Sequence, residues 1–303
     1  MTGRLSFRPL APFGVEAAGV DLSRPLADDA CAELLRAFYE HHVLAIRAQE
    51  ISAAQFLAFA RRIGPPQPHV IDQFHHPDDP NILVLSNVRK DGQPTGLRDA
   101  GSYFHTDYSY LAVPARATTL YSRVVPRVGG DTLFADQVAA YDDLPDAMKR
   151  RIEPLLAIHH YGNRHDLDES SRTAASPLNT EQKAKMPVIT HRIARPHPVT
   201  GRKALYAVSG SSFGIAGMPE DEARDLLDEL AAHATQPRYQ LRFRYGVGDI
   251  VVWDNAFKES SGLLRQGVRL AVLQHGDAPQ GARIVRVRER GRVQQRRTPC
   301  SGS

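Results

Sequence analysis

Three short runs of this chain, 43–47, 82–86 and 250–253, are apolar apart from the closing Arg47 and Ser86. They are too short for ordinary helices and read as strands buried on both faces. Further strands are expected at 117–124, 132–134, 188–192, 204–208 and 268–274, and 239–245 alternates with period two. Helical spacing occurs at 30–41, where Leu34, Leu35 and Phe38 share a stripe. A second helix opens on a Ser52/Gln55 capping box ahead of Phe56, Leu57, Phe59 and Ala60, and stops at Gly64-Pro65-Pro66. Two helical pieces are expected in 136–152, with Pro145 as a first-turn residue, and one at 219–234 with an acidic first turn. The segments 13–16 and 19–22 read as an opening hairpin. Residues 89–101, rich in Gly, Asp and Pro, read as a loop leading into a strand that carries His105 and Asp107. The polar, aperiodic stretch 162–187 is expected to be a mobile lid or a disordered loop. Many short strands with a few helices outside indicate one α+β domain around a β-sandwich or distorted barrel.

Charge refines this picture at one end. The net charge is +4, but seven arginines and one glutamate from Arg283 onward contribute +6, leaving the rest at −2. The division expected is therefore a domain over 1–280 and a basic tail over 281–303. The tail has no aromatic residue for base stacking, which argues against a nucleic-acid partner. No apolar run reaches membrane-spanning length, and the first residues show no secretory h-region. Two distant cysteines, Cys31 and Cys300, suggest neither a disulfide framework nor a zinc site, so a cytoplasmic protein is expected. Self-association is left open.

The candidate chemistry centres on Gly101–Asp107. On a strand, His105 and Asp107 would share a face and aim a nitrogen and an oxygen at one point. An imidazole plus a carboxylate is two thirds of the ligand set used by non-heme Fe(II) oxygenases. The bare triplet is more often a pair of surface residues, so its context decides.

That context is an ordered series of motifs: Gly14-Val15-Glu16, Gly19-Val20-Asp21-Leu22-Ser23, His105-Thr106-Asp107, Gly129-Gly130-Asp131-Thr132, the stretch from His197-Pro198 to Tyr206, Gly248-Asp249 and Trp253-Asp254-Asn255. Over residues 5–279 the chain closely resembles the taurine dioxygenase / 2,4-dichlorophenoxyacetate dioxygenase (TauD/TfdA) family. The resemblance implies a double-stranded β-helix (jelly-roll) core with helices packed outside. It also implies Fe(II), 2-oxoglutarate as co-substrate, O2, and oxidation of a C–H bond in a small polar substrate. By motif, His105 and Asp107 match the first two iron ligands, and Thr132 matches the threonine that contacts 2-oxoglutarate. His69, Asn87, Tyr103 and Phe213 are candidates for lining the substrate pocket; each has a loop or core reading beside it.

The pattern breaks after Asn255. The family reads Trp-Asp-Asn-Arg-x-x-x-His, whereas Ala256 stands here at the arginine position and Ser260 at the histidine. A hydroxyl is a poor Fe(II) ligand beside an imidazole. The third ligand is left open between Glu259, His275 and water. Arg269 is the candidate for the 2-oxoglutarate carboxylate, one residue off the family register, so a bulge is needed to turn it inward; Arg265, on the loop, is the alternative. An atypical iron oxygenase, a metal-free enzyme reusing the pocket and a non-catalytic binding protein all follow from this break.

Overall fold

The apolar runs from opposite ends of the chain meet in one sheet. Val43–Ile46 pairs with Ile250–Asp254, which pairs with Ala115–Val124, and Val268–His275 lies beyond it, all antiparallel. The computed structural model describes residues 4–97, 103–162, 164, 188–256, 258–262, 268–275 and 283–284, with side chains described outside 258–262, 268, 272–275 and 283–284. The remaining strands of the major sheet are Ser6–Pro9 and Val15–Ala18 on one side, and Asp79–Ser86, His75–His76 and Pro66–Gln67 on the other.

Period-two alternation with both faces covered explains why Val43–Ile46 and 250–253 lack polar positions. Leu44, Ile46, Ile250 and Val252 face helices α1 (Asp28–His41) and α2 (Ala53–Ile63), packing on Leu34, Phe38, Phe56 and Leu57. Val43, Ala45, Val251 and Trp253 face the other way, onto Phe134, Leu241 and Phe243. Those residues belong to a second sheet, Gln240–Phe243, Thr132–Asp136 and Lys258–Gly262. Phe134 is wholly buried, with its ring 5.4 Å from that of Trp253. Full burial of such a side chain stabilises by about 1.5–3 kcal/mol. A third sheet, Ser212–Ile215, Leu156–His159, Ile189–Arg192 and Arg283–Ile284, shares a core with α3 (Gln137–Asp142), α4 (Asp146–Ile152) and α5 (Glu220–Ala234). The architecture is α+β, a double-stranded β-helix with helices packed outside.

The Ser52/Gln55 capping box forms with both reciprocal hydrogen bonds. Three expectations need correction. The opening hairpin pairs Ser6–Pro9 with Val15–Ala18, because Asp21 accepts from the Ser23 amide and hydroxyl and turns the chain away at 19–22. Pro145 caps α4 rather than opening it. Most importantly, His105 and Asp107 do not sit on a strand. A turn begins at Asp107, with Tyr108 in the left-handed region at φ 60° and hydrogen bonds from Ser109 to Thr106 and from Leu111 to Tyr108. The expected lid at 162–187 lies outside the described residues apart from 162 and 164. Among the described residues, no helix is long and apolar enough to cross a membrane.

Candidate active site

His105 and Asp107 meet even without a strand beneath them. The His105 Nδ1 lies 2.9 Å from the Tyr103 carbonyl, which can only accept, so Nδ1 carries the proton and Nε2 presents a lone pair. That lone pair lies 3.2 Å from Asp107 Oδ1. Two lone pairs facing each other at this distance repel unless a proton or a metal cation lies between. Ligands about 2.1 Å from a metal at right angles are about 3.0 Å apart, so the pair fits two adjacent corners of one coordination sphere.

The other oxygen of Asp107, Oδ2, accepts from Thr118 Oγ1 at 2.6 Å. Burial pushes the Asp107 carboxyl up, but the adjacent His105 imidazole and the hydrogen bond from Thr118 outweigh it and hold the group below the usual carboxylate range. Thr118 in turn accepts from Asn255 Nδ2 at 2.9 Å.

A second polar group forms where the Thr132–Asp136 strand begins. Thr132 Oγ1 is 3.0 Å from Tyr245 Oη, and the Arg269 guanidinium lies over the Tyr245 ring at 4.0 Å from its centre. Arg269 Nη2 donates to the Gly130 carbonyl. Register shifts between Val268 and Arg269 against Ala115–Val124, and Arg269 is 3% exposed, on the same side of its strand as the interior residue Ala271. Arg269 Nε is buried without a hydrogen-bond partner, and Asp131 acts on the guanidinium through its charge. A buried, incompletely satisfied guanidinium beside a hydroxyl pair suits an incoming carboxylate.

Around the His105–Asp107 pair the surfaces are aromatic. Tyr103 stands 5.3 Å from the His105 ring, and His69 stacks on Tyr108 at 5.6 Å. Burial pushes His69 down to about 4, and its Nδ1 accepts from the Ile71 amide, so it is neutral at pH 7. Phe213 meets His160 edge-on at 5.8 Å, and Asn87 is half-buried just past the Asp79–Ser86 strand. The backbone of Glu259 and Ser260 lies on the Lys258–Gly262 strand, opposite Ala135 and Phe134. Their side chains, and that of His275, lie outside the described residues.

Tyr245, Thr118 and Asn255 were not among the candidates from sequence. Tyr245 ends the alternating 239–245 run, and Asn255 lies in a quoted motif, so both had a visible signal. Thr118 had none, since its partners are 11 and 137 positions away.

One further buried cluster adjoins this region. Asp254 Oδ2, fully buried, lies 3.0 Å from His197 Nε2 and 3.7 Å from His42 Nδ1. Burial would raise its pKa, yet the two imidazoles hold it far below the ordinary range. His197 Nδ1 accepts from the Val199 and Thr200 amides, which leaves its proton on Nε2, facing Asp254.

Comparison with known proteins shows the family. The family described as "Taurine catabolism dioxygenase TauD, TfdA family" matches residues 6–256. The chain is 36% identical over 258 residues to the alpha-ketoglutarate-dependent 2,4-dichlorophenoxyacetate dioxygenase of Cupriavidus pinatubonensis, covering 82% of this chain and 87% of that one. It is 31% identical to the pentalenolactone F synthase of Streptomyces arenae, covering 81% and 85%. Among solved structures, AAD-2 in complex with Mn(II) and N-oxalylglycine superposes with a TM-score of 0.73 at 28% identity, covering 91% of this chain and 99% of that one. A taurine dioxygenase from Burkholderia xenovorans shares the fold with a TM-score of 0.75 at 24% identity, covering 94% and 96%. The chain therefore belongs to the TauD/TfdA family of 2-oxoglutarate-dependent dioxygenases.

Proposed function

We propose that this protein oxidises a C–H bond of a small organic substrate, using Fe(II), 2-oxoglutarate and O2, at an iron site that lacks the family's distal histidine. The observation that carries the reading is the His105–Asp107 pair. The His105 Nε2 and Asp107 Oδ1 atoms face each other at 3.2 Å, a separation that suits two ligands of one cation. The buried Arg269, with its open Nε, supports the 2-oxoglutarate half of the reading.

Iron bound here would supply, with 2-oxoglutarate and O2, the oxidation of a substrate C–H bond coupled to formation of succinate and CO2. The chain's own residues do the rest. His105 Nε2 and Asp107 Oδ1 would hold the metal. Arg269, with Thr132 beside it, would bind the far carboxylate of 2-oxoglutarate and so orient its keto acid end. Tyr103, His69, Phe213 and Asn87 would line the substrate side, where aromatic surfaces exclude water from the reacting carbon. The third protein position falls to Ser260, Glu259, His275 or a water. The herbicide named for one relative indicates an aryl or similarly compact organic acid as a first substrate class to screen.

The test is anaerobic titration of the metal-stripped protein with Fe(II) and 2-oxoglutarate, followed by the visible charge-transfer band of the chelate. The band should appear and require both additions. Binding of neither component overturns the reading and leaves the fold as a metal-free site.

A further inference from the structure

The hydrogen-bond chain behind Asp107 has a fixed direction. A carboxylate only accepts, so Thr118 Oγ1 must donate its single proton to Asp107 Oδ2. Thr118 therefore has only lone pairs left for Asn255, 2.9 Å away, and the Asn255 amide must face it with Nδ2. The reverse amide orientation would draw the Thr118 proton away and leave Oδ2 facing a lone pair. Thr118 is 3% exposed and Asn255 1% exposed, so water does not compete for either bond.

The far end of the chain is anchored by backbone. The Asn255 amide donates to the Arg116 carbonyl at 3.0 Å, and the Asp254 amide donates to the His42 carbonyl at 3.0 Å. Asp254 Oδ1 caps the Ala256 amide, while its Oδ2 lies against His197. The Asn255 side chain thus springs from a strand end held on three sides.

We infer that Asn255 and Thr118 are positioning residues for the metal. Together they clamp Oδ2 of Asp107 so that Oδ1 alone is presented beside His105 Nε2, as a one-oxygen ligand. The inference rests on the proposed role of Asp107 and goes beyond it. In a site without the family's distal histidine, more of the metal's placement depends on the two ligands that remain, so the clamp matters more.

The experiment is titration of the metal-free protein with Mn(II) alone, read by calorimetry, for the wild type, Thr118→Val, Thr118→Ser and Asn255→Asp. Valine keeps the shape of threonine and removes the donor; serine keeps the donor; aspartate replaces the amide donor by an acceptor that captures the Thr118 proton. Mn(II) affinity should fall roughly tenfold or more in Thr118→Val and Asn255→Asp, the loss typical of removing a partner behind a metal ligand. Thr118→Ser should stay within about threefold of the wild type, a rescue that simple packing damage would not give. Wild-type binding with equal affinity in Thr118→Val overturns the clamp while sparing the functional reading. A wild type that binds neither Mn(II) nor Fe(II) overturns both. Should Thr118→Val fail to fold, Asn255→Asp and Thr118→Ser decide: equal affinity in both overturns the clamp, and loss in the first alone supports it.

Discussion

Replacing Gly210 by alanine should damage this protein in proportion to what Tyr103 does for His105. Gly210 has φ +63°, and a Cβ there would lie 2.5 and 2.6 Å from two carbons of the Tyr103 ring and 3.0 Å from the Phe104 carbonyl oxygen. The segment cannot easily retreat. The Gly210 carbonyl accepts from the Arg164 amide, and Arg164 Nη1 donates to the carbonyls of Val208 and Ser212 while Asp228 holds the other side of its guanidinium. The left-handed conformation costs alanine about 1–2 kcal/mol. Overpacking against the half-buried Tyr103 ring adds about 1–3 kcal/mol. The sum, about 2–5 kcal/mol, is a large part of a typical 5–15 kcal/mol stability. Gly217 supplies the control, since its φ is +79° and nothing lies within 4 Å of its Cβ position. Gly217→Ala should therefore cost only the backbone part, about 1–2 kcal/mol. Urea denaturation of both variants measures the difference, and Mn(II) titration of Gly210→Ala reads the effect on His105, whose Nδ1 is held by the Tyr103 carbonyl. Equal destabilisation of the two variants would refute the packing argument. Unchanged Mn(II) affinity in Gly210→Ala would refute the link from Tyr103 to His105.

Other variants probe other parts of the site. Arg269→Met should weaken 2-oxoglutarate binding by about 2–5 kcal/mol, the usual loss when one partner of a buried charged pair is removed, with Mn(II) affinity kept; calorimetric titration showing unchanged 2-oxoglutarate affinity would remove Arg269 from the role. Ser260→His should tighten Fe(II) binding by about tenfold or more if residue 260 faces the metal, and a flat response places the third ligand elsewhere. Stability should also depend on pH through His159 and His191, whose rings lie 5.1 Å apart. Burial holds His159 well below its ordinary value and His191 at about 4. The unfolded chain takes up protons near pH 6.5 that the folded chain refuses. Stability is thus full above about pH 6.5 and falls toward pH 4, by at most about 1.4 kcal/mol per pH unit for each histidine. His159→Phe should make the fall between pH 7 and pH 5 shallower in urea denaturation; an unaltered slope refutes the assignment.

Much of the fold was legible because burial on both faces leaves a plain mark. Val43–Ile46 and Ile250–Asp254 have no solvent face, so their composition alone identifies them. The meeting of His105 and Asp107 was legible because it is local: they are two positions apart, and their side chains come within 3.2 Å. Their local backbone was not legible, because the turn after Asp107 depends on Tyr108 taking a left-handed conformation that a tyrosine does not announce. The inward direction of Arg269 was also hidden, since a register shift between neighbouring strands leaves no trace in the composition of either. Thr118 belongs to the same class. In sequence it is one of two adjacent threonines in a strand, and only pairing with the strand end at 254–255 shows which one meets the carboxylate.

That strand end carries a consequence for how the site can vary. Trp253, Asp254 and Asn255 point to three separate partners: the Phe134 ring, the His197 imidazole and the Thr118 hydroxyl. The family match stops one residue later, at 256, where the sequence pattern also departs. The three consecutive residues work like the last fixed post of a fence. The Thr118 hydroxyl that holds Asp107 is tied through Asn255 to this post. Substitution or shortening in the turn that follows residue 256 therefore leaves the Asn255–Thr118–Asp107 contacts in place.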